Sequence, residues 1–276
     1  MKILISIPRK VNFLLKNISY IVFLSSVSFL LCYSLGKCNL GIYEGTYGIG
    51  LCQVSPSLLP AAASSPPYVV AIDPGHGGTD TGALAIVKEF EVIDKTAARL
   101  YELLEDDPDF IPVMTRTDSD PESAQRATVA NNAGASLLIS IHANSDSHKS
   151  SKGFECFAQP PGRTYHQDSY RFAQLIVAQM SAAGHHIRGD EQKTGIKYAY
   201  YYGNDKKIVD SSDSQVRSRK SFGILEKTNC PRVLVEQCFI TNYSDVERWA
   251  TDDGCNQAAQ LYYAAIKEYF KEFYFF

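Results

Sequence analysis

Short apolar runs alternate with amphipathic stretches from Tyr68 onward, and this alternation constrains the fold more than any other feature. Apolar runs rich in β-branched and aromatic residues predict strands at 68–72 (YVVAI), 110–115 (FIPVMT), 135–141 (ASLLISI), 153–158 (GFECFA) and 232–240 (RVLVEQCFI). Helical spacing recurs between and after these runs, in VIDKTAARLYELLE, ESAQRATVANNAG, DSYRFAQLIVAQMSAAG and NQAAQLYYAAIKEYFKEF, with Gly134 and Gly184 as C-caps. The pattern predicts a single α/β domain with a mostly parallel, twisted sheet flanked by helices.

The first 36 residues have a different character. Four basic residues up to Lys16 precede an uncharged apolar stretch, Ile18–Gly36. A basic region followed by an apolar one is typical of an export signal, and its length lies between that of a signal core and that of a membrane span. We therefore predict a signal peptide or membrane anchor over 1–36 and a flexible Gly/Ser/Pro/Ala-rich linker over 37–66, followed by a catalytic domain over 67–273.

Charge and cysteine content exclude several classes of function. Five of the 27 basic and one of the 30 acidic residues lie in 1–66, so the remainder carries a net charge of −7. An acidic domain is a poor ligand for nucleic acid, whose binding depends on phosphate neutralisation. The seven cysteines include no CxxC pair, which argues against a zinc ribbon or a thioredoxin-like site.

Polar residues at the ends of predicted strands suggest a metal site. His76 and His142 follow two strands, Glu236 lies in a third, and Glu89 opens a helix. Ligands collect beyond the carboxyl ends of strands in open α/β sheets. Two imidazoles and one carboxylate form the ligand set of a catalytic zinc, and a second carboxylate can serve as its base. Glu236 is surrounded by Val, Leu and Phe, where a carboxylate is costly to bury unless it is paired or coordinated.

Four separate motifs also carry a family resemblance. DPGHGGTDTGA, TRTD, QRATVANNAGASLLISIHAN and CPRVLVEQCFITN follow the order and register of the zinc-dependent N-acetylmuramoyl-L-alanine amidases, bacterial cell-wall hydrolases often called amidase type 3. The resemblance spans about residues 68–270. It implies that His76, Glu89 and His142 bind Zn²⁺, that Glu236 is catalytic, and that the substrate is the amide between N-acetylmuramic acid and L-alanine in peptidoglycan.

Two departures from the family pattern leave alternatives open. The interval from His76 to Glu89 is about two residues short, and Glu91 would restore it, although the helix phase favours Glu89. Cys238 replaces a glycine of the family. Residues two apart on a strand face the same way, so we expect its thiol to face the site, either as a small filler or as a further ligand or redox switch.

Three further expectations concern regions outside these motifs. The polar, Tyr-rich insert KYAYYYGNDKKIVDSSDSQVRSRK precedes the strand-like SFGILEK, and residues 199–219 form a substrate wall, an inhibitory plug or a plain surface loop. Arg116, Arg126, Asn131 and Asn144 are expected to hold loops around the site. The remaining histidines, at 148, 166, 185 and 186, are expected to be solvated.

Two other functions share the same residues. A zinc peptidase acting on the peptide stem uses similar ligands, but the predicted domain contains no HxxE pair. A non-catalytic peptidoglycan-binding protein would have no need of an intact Glu236. The apolar segment predicts an exported protein, either free in the cell wall or tethered to the membrane through residues 18–36 and facing the wall. We expect a monomer.

Overall fold

Seven strands form one sheet in the computed structural model, in the order β2-β1-β3-β7-β4-β5-β6. The strands are β1 (Tyr68–Pro74), β2 (Phe110–Met114), β3 (Leu137–Asn144), β4 (Glu155–Ala158), β5 (Ile196–Tyr202), β6 (Asp205–Asp210) and β7 (Arg232–Phe239). The structure describes residues 65–77, 79–116, 122–189 and 194–271. The predicted signal or anchor lies outside these residues, as does the predicted linker up to residue 64. Within the described ranges, no helix has both the length and the apolarity needed to cross a membrane.

The sheet has a parallel half and a mixed half that meet at β7. Strands β2, β1, β3 and β7 are parallel neighbours. On its other side β7 pairs antiparallel with β4, while β4 and β5 are parallel and β5 and β6 antiparallel. The predicted mostly parallel α/β domain is therefore confirmed, with β7 at the boundary between the two halves.

Helices cover both faces of the sheet. They are α1 (Glu89–Glu105), α2 (Ser123–Asn132), α3 (His166–Ala182), α4 (Gly223–Lys227), α5 (Tyr243–Trp249) and α6 (Asp252–Lys271). The larger core lies on the face covered by α1, α3 and α6, and the smaller core on the face covered by α2 and α4. In α1 the buried residues Val92, Ile93, Ala97, Leu100 and Leu104 recur at helical spacing, which is why this segment packs as an amphipathic helix.

Glycines end two of the helices as predicted. Gly134 and Gly184 have φ values of 67° and 78°, in the left-handed region that follows many helix C-termini. The amide of Gly134 donates to the carbonyl of Asn131, and that of Gly184 to the carbonyl of Ser181. Both bonds occupy carbonyls of the last helical turn.

Two predictions about the segment before β7 are wrong. The first part of the insert is not a loop, because β5 belongs to the sheet and its residues Tyr198, Ala199 and Tyr200 are buried. Tyr198 and Tyr200 face the larger core and Ala199 the smaller one, the alternation expected of a strand with both faces covered. SFGILEK is not a strand either. Gly223–Lys227 forms the short helix α4, which buries Ile224 and Leu225 in the smaller core.

Candidate active site

A turn at the end of β1 sets the position of His76. Its backbone has φ 59°, a left-handed conformation that is uncommon outside glycine. The ring Nδ1 lies 2.8 Å from Oδ2 of Asp80, whose Oδ1 also accepts the amide of Gly82 at 3.0 Å. The opposite ring atom, Nε2, lies 3.1 Å from Oε1 of Glu89. Asp80 therefore orients the imidazole so that Nε2 faces the other polar residues.

Two glycines leave room for these side chains. A Cβ on Gly75 would lie 2.2 Å from Cε1 of His142, so that ring packs directly against the glycine backbone. A Cβ on Gly82 would lie 2.7 Å from Oε2 of Glu89 and 2.8 Å from Cδ2 of His76. Both distances are far shorter than van der Waals contact. Positions 75 and 82 therefore require glycine, because any larger residue would collide with these side chains.

A buried ion pair between Asp73 and Arg126 stabilises the His76 turn. Asp73 is fully buried and accepts hydrogen bonds from the hydroxyls of Thr115 at 2.5 Å and Ser140 at 2.6 Å. Its Oδ1 lies 3.1 Å from Nε of Arg126, whose Nη1 donates to the carbonyl of His76 at 3.2 Å. Arg126 thus ties the turn to α2.

Arg116 and Asn131 hold loops, as predicted, whereas Asn144 does not. Arg116 donates to the carbonyl of Gly75 at 3.3 Å and forms a close ion pair with Asp94 of α1. Asn131 joins α2 to the backbone that precedes β7, through bonds of 2.9 and 2.7 Å. Asn144 lies in β3 and donates to Oε1 of Glu155 at 2.8 Å, so it joins two strands beside the site and does not hold a loop.

Glu89 lies at the centre of the group. Its Oε2 accepts the amide of Ala83 at 2.8 Å, and its Oε1 accepts that of Ala143 at 3.1 Å. Oε1 also lies 3.4 Å from Nδ1 of His142. Burial alone would raise the pKa of Glu89, but the hydrogen bonds to His142 and His76 lower it well below its usual value. The carboxyl group is therefore ionised at neutral pH.

His76, Glu89 and His142 form a cluster suited to a metal ion. One ligand atom from each residue lies within 4.8 Å of the others. The pKa of His76 is raised, because the nearby carboxylates of Glu89 and Asp80 outweigh the lowering effect of burial. Glu91 lies elsewhere on α1, exposed and paired with Lys88 at 2.8 Å. The geometry thus brings Glu89, and not Glu91, to the two histidines.

Glu236 faces the cluster from β7, in register with His142 on β3. Its Oε2 is buried and has no hydrogen-bond partner among the described residues. Burial raises the pKa of Glu236 well above its usual value, and the negative charges of Glu89 and Glu155 raise it further. A carboxyl group in this environment is able to exchange a proton with a molecule bound beside it.

One cavity contains all four residues. Its volume is about 350 Å³, and its wall includes His76, Glu89, His142 and Glu236. The remaining wall comes from α2, from the end of β3, from the start of α4 and from β6, through residues that include Ser123, Arg126, Asn144, Lys206, Phe222 and Ile224. The cavity lies at the carboxyl ends of β1, β3 and β7, where the sheet geometry predicts a ligand site.

Cys238 does not face this cavity, so that prediction is wrong. Between the pairs His142–Glu236 and Asn144–Phe239 the register shifts, and β7 contains one residue more than β3. Such a bulge breaks the two-residue alternation. Cys238 is fully buried in the larger core with Val233 and Val235, on the face opposite to Glu236. Burial raises the pKa of its thiol well above the usual value.

The prediction of four solvated histidines is wrong for His185. Its ring is buried, stacks on Trp249 with a centroid distance of 4.1 Å, and donates through Nε2 to the carbonyl of Gln237 at 2.8 Å. Burial lowers the pKa of His185 to about 4. His148 and His186 are exposed, whereas His166 is half-buried and bonds a backbone carbonyl. In the sequence, His185 follows Gly184 and precedes charged residues, a pattern that predicts a solvent-exposed loop.

Sequence reasoning missed two polar residues of the site. Asp80 lies inside the first motif, and its spacing of four residues from His76 is the only signal for its role. Lys206 lies in the insert, and only the hairpin of β5 and β6 brings it to the cavity. No pattern in the sequence distinguishes it from the adjacent Lys207.

Comparison with known proteins agrees with this geometry. The family model described as N-acetylmuramoyl-L-alanine amidase matches residues 70–268, and the chain belongs to this family. The class of protein that the fold and site define is thus an amidase.

Named relatives support the same assignment. A putative N-acetylmuramoyl-L-alanine amidase of Buchnera aphidicola subsp. Schizaphis graminum is 28% identical over 223 residues, covering 73% of this chain and 96% of that protein. N-acetylmuramoyl-L-alanine amidase AmiC of Escherichia coli O6:H1 is 29% identical over 224 residues, which cover 75% of this chain. The match spans 54% of AmiC, about half its length.

Solved structures share the fold. The catalytic domain of CwlV, an N-acetylmuramoyl-L-alanine amidase from Bacillus (Paenibacillus) polymyxa var. colistinus, is 30% identical with a TM-score of 0.59, covering 74% of this chain and 98% of that one. AmiC2 of Nostoc punctiforme is 27% identical with a TM-score of 0.58, and 75% and 99% of the two chains are covered.

Proposed function

We propose that this protein uses a bound zinc ion to hydrolyse the amide between N-acetylmuramic acid and L-alanine in peptidoglycan. The observation that carries the proposal is the convergence of His76, Glu89 and His142 beside the unpaired Oε2 of Glu236 in one cavity. The names of the relatives supply the amide that is cleaved.

The residues fit a zinc ion in their chemistry and orientation. Two imidazoles and one carboxylate are a common ligand set for catalytic zinc, and they leave a coordination position open. Asp80 holds Nδ1 of His76, which leaves Nε2 for the metal, as carboxylates commonly do for metal-binding histidines. Two backbone amides fix the carboxylate of Glu89. When bound, zinc would polarise the amide carbonyl and acidify a water molecule.

Glu236 carries out the proton transfers in this proposal. An amide has a poor leaving group, so hydrolysis requires a base for the water and an acid for the departing amine. Glu236 accepts the proton of the water as the new C–O bond forms, then delivers it to the nitrogen of L-alanine as the C–N bond breaks. Its raised pKa favours the protonated form that the second step needs.

The same proposal covers domain and location. We assign residues 67–273 as the catalytic domain, a range supported by the family match over 70–268. We assign 1–36 as the segment that exports the protein to the wall, where the substrate lies. The apolar stretch without charge supports export, and the sequence leaves cleavage and retention as alternatives.

Digestion of purified cell walls tests the proposal. We expect the full-length protein to clear walls in a zymogram, to lose this activity on chelation, and to regain it when zinc is added back. End-group analysis should then reveal new L-alanine amino termini. Other new termini would identify a peptidase, and binding without clearing would identify a wall-binding protein. Full activity in metal-free protein would contradict the zinc mechanism.

A further inference from the structure

Lys206 is a lysine in the cavity wall whose charge is left without a partner. Its side chain is exposed, and its Nζ lies 5.5 Å from the ring centroid of Phe222, over the ring face. Within the described ranges, no carboxylate forms an ion pair with it, although Lys197 on the adjacent strand pairs with Glu155 at 2.5 Å. The ammonium group is therefore available to a ligand.

The aromatic platform under Lys206 is fixed in place. Lys206 lies opposite Tyr201 in the β5–β6 hairpin, and the Tyr201 ring contacts Phe222 with a centroid distance of 6.1 Å. Phe222 also packs edge-on against Phe157 at 5.1 Å. The amide of Tyr201 donates to the carbonyl of Lys220 at 2.8 Å, which ties the chain before Phe222 to the hairpin.

A second set of contacts holds the segment that follows the hairpin. Arg163 donates to the carbonyl of Arg219 at 2.6 Å and forms an ion pair with Glu226 at 3.0 Å. The guanidinium of Arg217 lies over the ring of Tyr200, 5.0 Å from its centroid, and pairs with Asp213 at 2.6 Å. These contacts make the hairpin and its return segment a fixed wall, so Lys206 projects from a held position.

The carboxylates of the cavity and its unpaired lysine lie on different sides, while the other cation of the wall, Arg126, is buried and paired with Asp73. Glu89 and Glu236 lie at its metal end, on the α1 and β7 side, whereas Lys206 comes from β6 at the edge of the mixed half of the sheet. An ammonium group on the wall of a cleft is complementary to an anionic group of the substrate. The cavity volume is in the range that accommodates a small ligand segment.

The proposed substrate has carboxylates on one side only. The lactyl carboxyl group of the sugar is consumed in the scissile amide, and the N-acetyl groups are neutral. The free carboxylates of the repeating unit therefore belong to its peptide. We infer that Lys206 binds a carboxylate of the peptide stem, so that the peptide occupies the β5–β6 side of the cavity and the sugar the opposite side. This inference rests on the proposed function.

Lys206 could instead act on Glu236 through its charge, because its positive charge lowers the pKa of that group. The two roles differ in what they affect. A lysine that binds substrate affects only substrates that carry the anion. A lysine that tunes Glu236 affects every substrate equally and shifts the pH profile.

The test compares two substrates that differ only in charge, N-acetylmuramoyl-L-alanyl-D-glutamate and its diamide. Wild-type protein and the variants Lys206→Met, Lys206→Arg and Lys207→Met are assayed in the zinc-loaded, full-length form. Lys207 is the matched control, since it is an exposed lysine on the same strand that does not line the cavity. Zinc content and thermal unfolding verify that each variant is folded.

We expect wild-type protein to favour the diacid in kcat/KM by about tenfold, the effect of one partly exposed charge-assisted hydrogen bond. Lys206→Met should remove this preference by lowering kcat/KM for the diacid while leaving the diamide unchanged. Lys206→Arg should retain most of it, and Lys207→Met should behave as wild type.

Three outcomes would overturn the inference. They are a wild-type protein that cleaves both substrates equally, a Lys206→Met variant that loses both equally with a shifted pH profile, and a Lys207→Met variant with the same selective loss. Each of these leaves the proposed amidase function intact. A wild-type protein that cleaves neither substrate nor purified walls contradicts the proposed function, and the inference falls with it.

Discussion

At the scale of single residues, the proposed function gives Glu236 and the candidate metal cluster separable roles. Glu236 is outside the group of ligand atoms formed by His76, Glu89 and His142. Replacing Glu236 with Gln removes the proton acceptor at nearly constant size. We expect Glu236→Gln to retain zinc and to lose about 10²- to 10⁴-fold in kcat, the usual contribution of a general base. Metal analysis and wall hydrolysis measure the two effects.

The control for this prediction is His142→Ala, which should lose both zinc and activity. If Glu236→Gln also emptied the metal site, Glu236 would be a ligand and the proposed roles would need to be reassigned.

The close approach of Gly75 and His142 leads to a second residue-scale prediction. A methyl group at Gly75 would displace the His142 ring, because the two would be separated by 2.2 Å. We expect Gly75→Ala to lower zinc affinity roughly 10- to 100-fold, as disturbances around a metal ligand do. Titration with a competing chelator measures the affinity.

Gly134→Ala is the matched control. Gly134 has a left-handed backbone, but a Cβ there would have open space around it. This variant should cost about 1 kcal/mol in unfolding free energy and leave zinc affinity unchanged. An equal loss of zinc affinity in both variants would exclude the steric explanation.

The sequence predicts residues at strand and helix ends better than those whose environment comes from distant packing. His76, Glu89 and His142 each follow or open a predicted element, Glu236 is a carboxylate among apolar residues of a predicted strand, and the fold brings all four into one cavity. The predicted orientation of Cys238 is wrong because the sequence of a single strand does not reveal a bulge. The predicted exposure of His185 is wrong because the ring that buries it, Trp249, comes from α5, 64 positions further along the chain.

At the scale of elements, a polar cluster joins the end of α1 to α6. Oδ2 of Asp107 accepts bonds from the hydroxyl of Tyr263 at 2.6 Å and from Nζ of Lys267 at 2.8 Å. Burial would raise the pKa of Asp107, but the bonds to Lys267 and Tyr263 lower it below the ordinary 3.8. The carboxylate therefore stabilises the fold at pH values above 3.8, and this contribution is lost as the pH falls through the lower folded-state pKa.

We expect Asp107→Asn to lower the free energy of unfolding by about 1 kcal/mol at pH 7, since the lysine is partly exposed. The difference from wild type should shrink as the pH is lowered below 3.8. Urea unfolding across this pH range measures it. Asp106→Asn, at the exposed neighbouring position, should have little effect. A pH-independent difference would show that the charge of Asp107 contributes nothing.

Helices and strands with a clear apolar periodicity are predicted from the sequence, and those without one are missed. The four long helices and five of the strands were predicted from apolar spacing, with boundaries within about four residues of those observed. The hairpin strand β6 was not predicted, because it is largely exposed and has no alternating apolar residues. The short helices α4 and α5 have five and seven residues, too few for a helical period to be recognised.

At the scale of the whole molecule, we expect His185 to make stability depend on pH. Its folded-state pKa of about 4 lies below the ordinary value of 6.5. Between these values the unfolded chain binds a proton that the folded protein does not bind. Stability should therefore fall as the pH is lowered from 6.5 towards 4, by about 1.4 kcal/mol per pH unit within that window.

His185→Phe keeps an aromatic ring against Trp249 and removes the titrating group. We expect this variant to be about 1 kcal/mol less stable at pH 7, because the bond to the Gln237 carbonyl is lost, and to show a flatter pH dependence between 4 and 6.5. Thermal unfolding at a series of pH values checks this. His148→Gln, at an exposed site, should keep the wild-type slope. An unchanged slope in His185→Phe would assign the acid sensitivity to other groups.

The position of β7 between the two halves of the sheet affects how this enzyme can diversify. The cluster residues come from the turn after β1, from α1 and from β3 on one side of the cleft, while Lys206 and Phe222 come from the other side. Under the proposed roles, exchanging the hairpin and its return segment would change substrate selectivity without moving a candidate metal ligand.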